Sequence, residues 1–155
     1  IAVHSEDTTI KQMLESIPQQ CNVKVREKNI TLSLCDTDLH VRCDSKWTVE
    51  ALGNIVDNAI KYTACGGNVQ IKVEQYSFFV KIDIIDDGIG IEKEEIPKIF
   101  GRFYRSLSVA DQPGVGIGLF LAREIIQAQK GYIKVTSKRG KGSTFSVFLP
   151  IAKKE

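Results

Sequence analysis

Residues 50–62, EALGNIVDNAIKY, are where residue types and spacing in this chain could first do chemistry. Glu50, Asn54 and Asn58 stand at i, i+4 and i+8, with Lys61 and Tyr62 one turn further on, so a helix would present them as one stripe. Asparagine is a poor interior helix former, because its side chain competes for the backbone. Two of them stacked a turn apart need a reason. Carboxamide oxygens suit a hard cation such as Mg²⁺, which keeps several waters and takes few protein ligands. A lysine and a tyrosine at the end of the same stripe suit phosphate. The plain alternative, read on this helix alone, is a surface helix with two tolerated asparagines.

Two glycine motifs follow. Asp86, Asp87, Gly88, Ile89, Gly90 and Ile91 come directly after an alternating stretch that reads as a strand. A strand ending in D-x-G-x-G sets a carboxylate at the mouth of a sheet, and glycines let backbone approach a ligand closely. Asp86 could there accept a hydrogen bond from an exocyclic amine, as selection of adenine requires. By itself the motif also fits an ordinary turn. Gly114, Val115, Gly116, Ile117, Gly118 and Leu119 lead straight into a helical pattern. Amides at a helix N-terminus form an anion site. A dinucleotide fingerprint would need a preceding strand, whereas residues 106–113 are a polar loop. Between the motifs, residues 99–105 (IFGRFYR) alternate aromatics with arginines, which could grip a polyphosphate or simply pack as a loop.

Elements must position these groups. Leu52, Ile55, Val56, Ala59 and Ile60 recur at steps of three and four and form an apolar stripe opposite the polar one. The spacing predicts an amphipathic helix capped by Asp44 or Ser45, with Trp47 packing in its first turn and residues 63–68 (TACGGN) ending it. Residues 6–28 read as a helix with Ile10, Met13, Leu14 and Ile17 inward and Pro18 as a start or kink. Residues 30–35 and 39–43 read as strands with Asp36, Thr37 and Asp38 as the turn between them. Residues 69–74 and 78–85 read as antiparallel strands turning at Tyr76 and Ser77. Residues 86–115 read as irregular, with a short helix around 93–100. Residues 117–129 read as an amphipathic helix, and 132–137 and 143–149 as a last strand pair that Pro150 stops. Hairpins with helices grouped between them predict an α+β two-layer sandwich.

The bulk numbers bound the class. At 155 residues, with 43% hydrophobic and 26% charged content, the chain is expected to be one soluble domain with a real core. A net charge of +2 gives no case for nucleic acid or an anionic membrane, and no apolar run is long enough to span a bilayer. The chain begins at Ile1 and reads as a fragment whose membrane segment, if any, lies upstream. Cys21, Cys35, Cys43 and Cys65 form no C-x-x-C pair, so they read as reduced, mostly buried small hydrophobes rather than metal ligands or disulfides.

In order, N-x-x-x-N-A-x-K-Y, D-x-G-x-G, F-x-R-F-Y-R and G-x-G-x-G-L resemble the catalytic ATP-binding domain of bacterial sensor histidine kinases, within the wider gyrase, Hsp90 and MutL ATPase group. Gly140, Lys141, Gly142, Ser143, Thr144 and Phe145 match the closing turn and last strand of that family. The resemblance covers about residues 30–150. It implies a single domain over 1–155, with a helical lead-in over 1–29 and an ATP lid within 86–115. The implied fold is a Bergerat-type sandwich, a mixed, mostly antiparallel sheet on three main helices. By position, Asn58 is implied as the Mg²⁺ ligand, with Asn54 supporting the phosphate end and Lys61 and Tyr62 contacting phosphates. Asp86 is implied to read the adenine amine, with Gly88 and Gly90 shaping that wall. Arg102 and Arg105 would reach the terminal phosphates from the lid, and Gly114, Gly116 and Gly118 would close over the triphosphate with Leu119 packing behind.

The implied activity is transfer of the ATP γ-phosphoryl group to a histidine on a separate dimerisation domain, and from there to a response regulator. The catalytic set would be Asn54, Asn58, Lys61 and Arg105. The domain would be cytoplasmic, part of a membrane-anchored sensor, and would itself touch neither membrane nor nucleic acid. The chain departs from the pattern in three places. Residues 106–113 hold no Lys or Arg, Pro113 stands where glycine is common, and neither His4 nor His40 sits in a phospho-acceptor motif. A related ATPase or serine kinase is the first alternative, and F-x-R-F-Y-R argues against it. A non-catalytic nucleotide-binding module is the second, and the intact Asn54, Asn58, Asp86 and glycines argue against that.

Overall fold

The computed structural model describes residues 1–101 and 117–151. Its centre is α3, Ser45–Tyr62, whose buried residues are Thr48, Ala51, Leu52, Ile55, Val56, Ala59 and Ile60. That set contains the whole apolar stripe expected from spacing. Asp44 is the N-cap: its side chain accepts from the Trp47 amide at 3.1 Å, meeting one of the amides a helix start leaves without a partner.

Five strands form the main sheet in the order β2–β4–β5–β7–β6. These are β2 (Thr31–Leu34), β4 (Asn68–Gln75), β5 (Phe79–Asp86), β6 (Tyr132–Lys138) and β7 (Gly142–Pro150). Only the β2–β4 pair is parallel; the other three pairs are antiparallel. Period-two alternation sends Val69, Ile71, Val80, Ile82, Ile84, Phe145, Val147 and Leu149 inward, all buried. They meet α3 and α4 (Gly118–Ala128), which buries Ala122, Ile125 and Ile126. Each buried valine, leucine, isoleucine or phenylalanine among them contributes roughly 1.5–3 kcal/mol. The opposite sheet face carries Phe79, Tyr132 and Phe148, the last two stacked at 4.3 Å.

The N-terminal region differs from the sequence expectation. Residues 6–9 are not helical: they form β1, Glu6–Thr9, paired antiparallel with β3, His40–Cys43. Two β-branched threonines occupy that stretch, and Thr9 also caps the next helix through the Gln12 amide at 3.3 Å. The helical lead-in is divided into α1 (Ile10–Glu15) and α2 (Ile17–Glu27), with Pro18 in the first turn of α2. There its missing N–H costs nothing. Strands β2 and β3 both exist, but residues 36–38 do not join them as a hairpin: β2 belongs to the large sheet and β3 to the small one. Alternation locates a strand without naming its partner. Of the cysteines, Cys21 and Cys43 are buried, Cys35 is half-buried and Cys65 is exposed, so the mostly buried expectation holds for two.

Candidate nucleotide site at the C-terminal end of α3

The first glycine motif lies against the end of α3. The Ile89 amide donates to the Tyr62 carbonyl at 3.2 Å. A Cβ on Gly88 would lie 2.4 Å from that same carbonyl oxygen, so only glycine allows the approach. Gly90 has φ +74°, and a Cβ there would fall 2.2 Å from the Lys138 carbonyl. The backbone these glycines admit is the chain's own: helix α3 on one side, the β6–β7 turn on the other.

Two adjacent aspartates are sorted by this packing. Both oxygens of Asp87 are engaged by Asn68, its amide at 2.8 Å and its Nδ2 at 2.9 Å, which holds the Asp87 carboxyl below its ordinary range. Asp86 closes β5 and is 6% exposed. Its Oδ1 accepts from the Gly88 amide at 2.9 Å. Burial raises its pKa, against the lowering effect of amide hydrogen bonds from Gly88 and Ser143. A carboxylate here keeps lone pairs that an amine donor could use. The neighbouring turn is braced by Ser137, whose Oγ accepts from the Ile91 amide at 2.8 Å and lies 2.7 Å from Ser143 Oγ. Ser137 was not singled out by the sequence, and Ser143 was read only as part of the closing turn; their pairing depends on strand register, which spacing alone does not reveal.

Along α3, the polar stripe is present. Asn54, Asn58, Lys61 and Tyr62 are all half-buried. Asn54 Nδ2 donates to the carbonyl of Gly118 at 3.2 Å, so this side chain ties α3 to the first residue of α4. Leu119 packs against the core from the start of α4. The structure therefore brings Asp86, Gly88 and Gly90 to the end of α3, and Gly118 to its middle. Arg102, Arg105, Gly114 and Gly116 lie outside the described residues. Among the described residues no group of three or more His, Cys, Asp or Glu could hold a metal. A divalent ion beside Asn58 would combine its carboxamide oxygen with phosphate and water oxygens. That donor set fits Mg²⁺, which takes few protein ligands.

A second polar cluster sits at the other end of α3. Gln129 is 6% exposed; its Oε1 accepts from the Asp44 amide at 2.6 Å and its Nε2 donates to Thr48 Oγ1 at 3.0 Å. These groups satisfy one another within the chain.

Comparison with known proteins agrees with this architecture. The family model described as histidine kinase-, DNA gyrase B-, and HSP90-like ATPase matches residues 43–153. The chain is 39% identical over 122 residues to the sensor histidine kinase WalK of Bacillus subtilis, covering 76% of this chain and 20% of that protein. It is 37% identical over 125 residues to the sensor protein kinase PmrB of Pseudomonas aeruginosa, covering 80% of this chain and 26% of that protein. The chain therefore spans about a quarter or less of these two curated relatives. Among solved structures, the mycobacterial sensor histidine kinase MprB superposes with a TM-score of 0.83 at 25% identity, covering 96% of this chain and 98% of that one. This chain belongs to the histidine kinase-, DNA gyrase B- and HSP90-like ATPase family and is homologous to the catalytic domains of sensor histidine kinases.

Proposed function

We propose that this chain is a single catalytic domain that binds Mg-ATP between the polar stripe of α3 and the Asp86 loop. It then passes the γ-phosphoryl group to a histidine on a separate dimerisation domain, which in turn phosphorylates an aspartate of a response regulator. The observation that carries the reading is Asp86: a buried carboxylate with spare acceptor capacity, beside a helix end that bears Asn58, Lys61 and Tyr62. Asp86 would accept from the adenine amine, with Gly88 and Gly90 shaping that wall. Asn58 would hold Mg²⁺, and Lys61 and Tyr62 would contact phosphates. Mg²⁺ supplies charge neutralisation when bound. Asn54 would keep the start of α4 beside the stripe. Arg102, Arg105, Gly114 and Gly116, within the lid assigned to 86–115, would complete the phosphate contacts. The parent protein is read as a membrane-anchored sensor with this domain in the cytoplasm. Among the described residues no helix is long and apolar enough to cross a membrane.

Phosphoryl transfer asks the protein mainly for positioning and electrostatics. A positioned nucleophile accounts for roughly 7–11 kcal/mol of barrier lowering, and neither His4 nor His40 lies in an acceptor motif. The test is a pair of incubations with γ-labelled ATP. The chain alone should form no acid-labile phosphohistidine, whereas adding the parent's dimerisation domain in trans should label that domain. Stable phosphohistidine on His4 or His40 of the isolated chain would overturn the donor assignment.

A further inference from the structure

An α-helix leaves its last four carbonyls without intrahelical partners. Helix α3 ends on an extended residue, Thr63 (φ −96°, ψ 135°), rather than on a left-handed glycine. All four carbonyls nevertheless meet donors. Ala59 O accepts from Thr63 Oγ1 at 2.7 Å, and Tyr62 O accepts from the Ile89 amide at 3.2 Å. Ile60 O and Lys61 O share one cation: Lys28 Nζ donates to them at 2.8 and 3.1 Å. Ile60 O also accepts from the Thr63 amide at 3.3 Å.

Lys28 is itself held in place. It caps α2, and the chain then turns through Asn29 at φ 51°, a left-handed position that asparagine tolerates. The Ile30 amide donates back to Val25 O at 3.0 Å, and the Gly66 amide donates to Lys28 O at 2.8 Å. The second contact anchors Lys28 to the loop that follows α3. An ammonium carries three donors on one compact charge, so it can serve two carbonyls at once. It also opposes the negative end of the helix dipole.

We propose that Lys28 is a positioning residue for nucleotide binding. It fixes the last turn of α3, and with it Asn58, Lys61 and Tyr62, against the loop that carries Asp86. This inference rests on the Mg-ATP reading above. Lys28 acts through backbone carbonyls and touches no ligand, so its effect must be separated from a general loss of stability.

The experiment compares wild type, Lys28→Met, which keeps the stem without donors, and Lys28→Arg, which restores a cationic donor. Mg-ATP affinity is measured by calorimetry well below the thermal midpoint of each protein, with the midpoint recorded separately. Loss of two charge-assisted hydrogen bonds is expected to raise the Kd of Lys28→Met about five- to tenfold while the protein stays folded. Lys28→Arg should recover most of that loss. Should Lys28→Met fail to fold, Lys28→Gln keeps a neutral amide donor group on a shorter stem and should bind with an intermediate Kd. A lowered midpoint with a Kd equal to wild type in Lys28→Met or Lys28→Gln would overturn the positioning role and leave the nucleotide reading standing. A wild type that binds no Mg-ATP would overturn both.

Discussion

Asp44 and Asp86 are carboxylates near opposite ends of α3, both with little exposed surface but Asp86 the more deeply set, and their acidities shift in opposite directions. At Asp44, the amide of His4 donates at 2.8 Å and that of Trp47 at 3.1 Å, and these bonds hold the carboxyl below its ordinary range against the cost of burial. Its own amide is taken by Gln129. At Asp86, burial outweighs the two amide bonds and the carboxyl is pushed up. At the N-terminal end of α3 the Asp44 carboxyl and amide are both engaged within the chain; near the C-terminal end Asp86 keeps its burial only partly offset. Perturbed titratable groups cluster at functional sites, and this contrast supports the proposal that the C-terminal end of α3, not its N-terminal end, meets the ligand.

Asn58→Ala should give the largest separation of the two ends. We expect Mg-dependent ATP affinity to fall by at least the roughly 10- to 100-fold typical of losing an outer-shell partner of a metal. The thermal midpoint should barely move, because Asn58 lies outside the buried stripe. Calorimetry with and without Mg²⁺ checks this; unchanged Mg-ATP affinity would remove the metal role from Asn58. Asp86→Asn comes next. It should weaken ATP binding and, by deleting a desolvated charge, raise thermal stability at neutral pH. A drop in stability at that pH would contradict the account of Asp86.

The pH dependences should run in opposite senses. Asp86 binds its proton more tightly folded than unfolded, so its contribution to stability falls as pH rises from the ordinary carboxyl value through its raised folded pKa. Asp44 is the reverse: its stabilisation is present above the ordinary carboxyl value and is lost as pH falls through its lowered folded pKa. Stability-versus-pH curves for Asp44→Asn and Asp86→Asn, each subtracted from wild type, should therefore have slopes of opposite sign. Asp44→Ala should show the smallest functional effect: about 1 kcal/mol lost with the helix cap and ATP affinity unchanged, measured by denaturant titration and calorimetry. A clear loss of affinity would mean the two ends are coupled.

The sequence made α3 legible on both faces, because one helical period carries both signals: the apolar residues at 52, 55, 56, 59 and 60 are all buried, and the polar stripe is half-buried from Asn54 to Tyr62 with Glu50 exposed at its start. The hairpin of β4 and β5 was legible for the same reason, with period two in place of 3.6. What stayed hidden was long-range. Gln129 lies 85 residues from the Asp44 amide it accepts from, and Lys28 lies 32 and 33 residues from the carbonyls it caps. No local pattern marks such partners. The choice between Asp86 and Asp87 as the buried carboxylate was read by position in the motif, and its structural basis is the Asn68 clamp on Asp87. Strand β1 was missed because its two threonines run directly into the apolar spacing of α1.

The central claim is that Asp86 recognises the amine of a bound adenine, and the most direct measurement is calorimetric titration of the wild-type chain with Mg-ATP and Mg-GTP. Guanine offers a carbonyl at the edge where adenine offers an amine, and a site built to bond a missing group can discriminate by about 10⁴. The account predicts saturable Mg-ATP binding with Mg-GTP binding too weak to detect at the same concentrations. Equal affinity for the two nucleotides, or no binding of ATP, would contradict it.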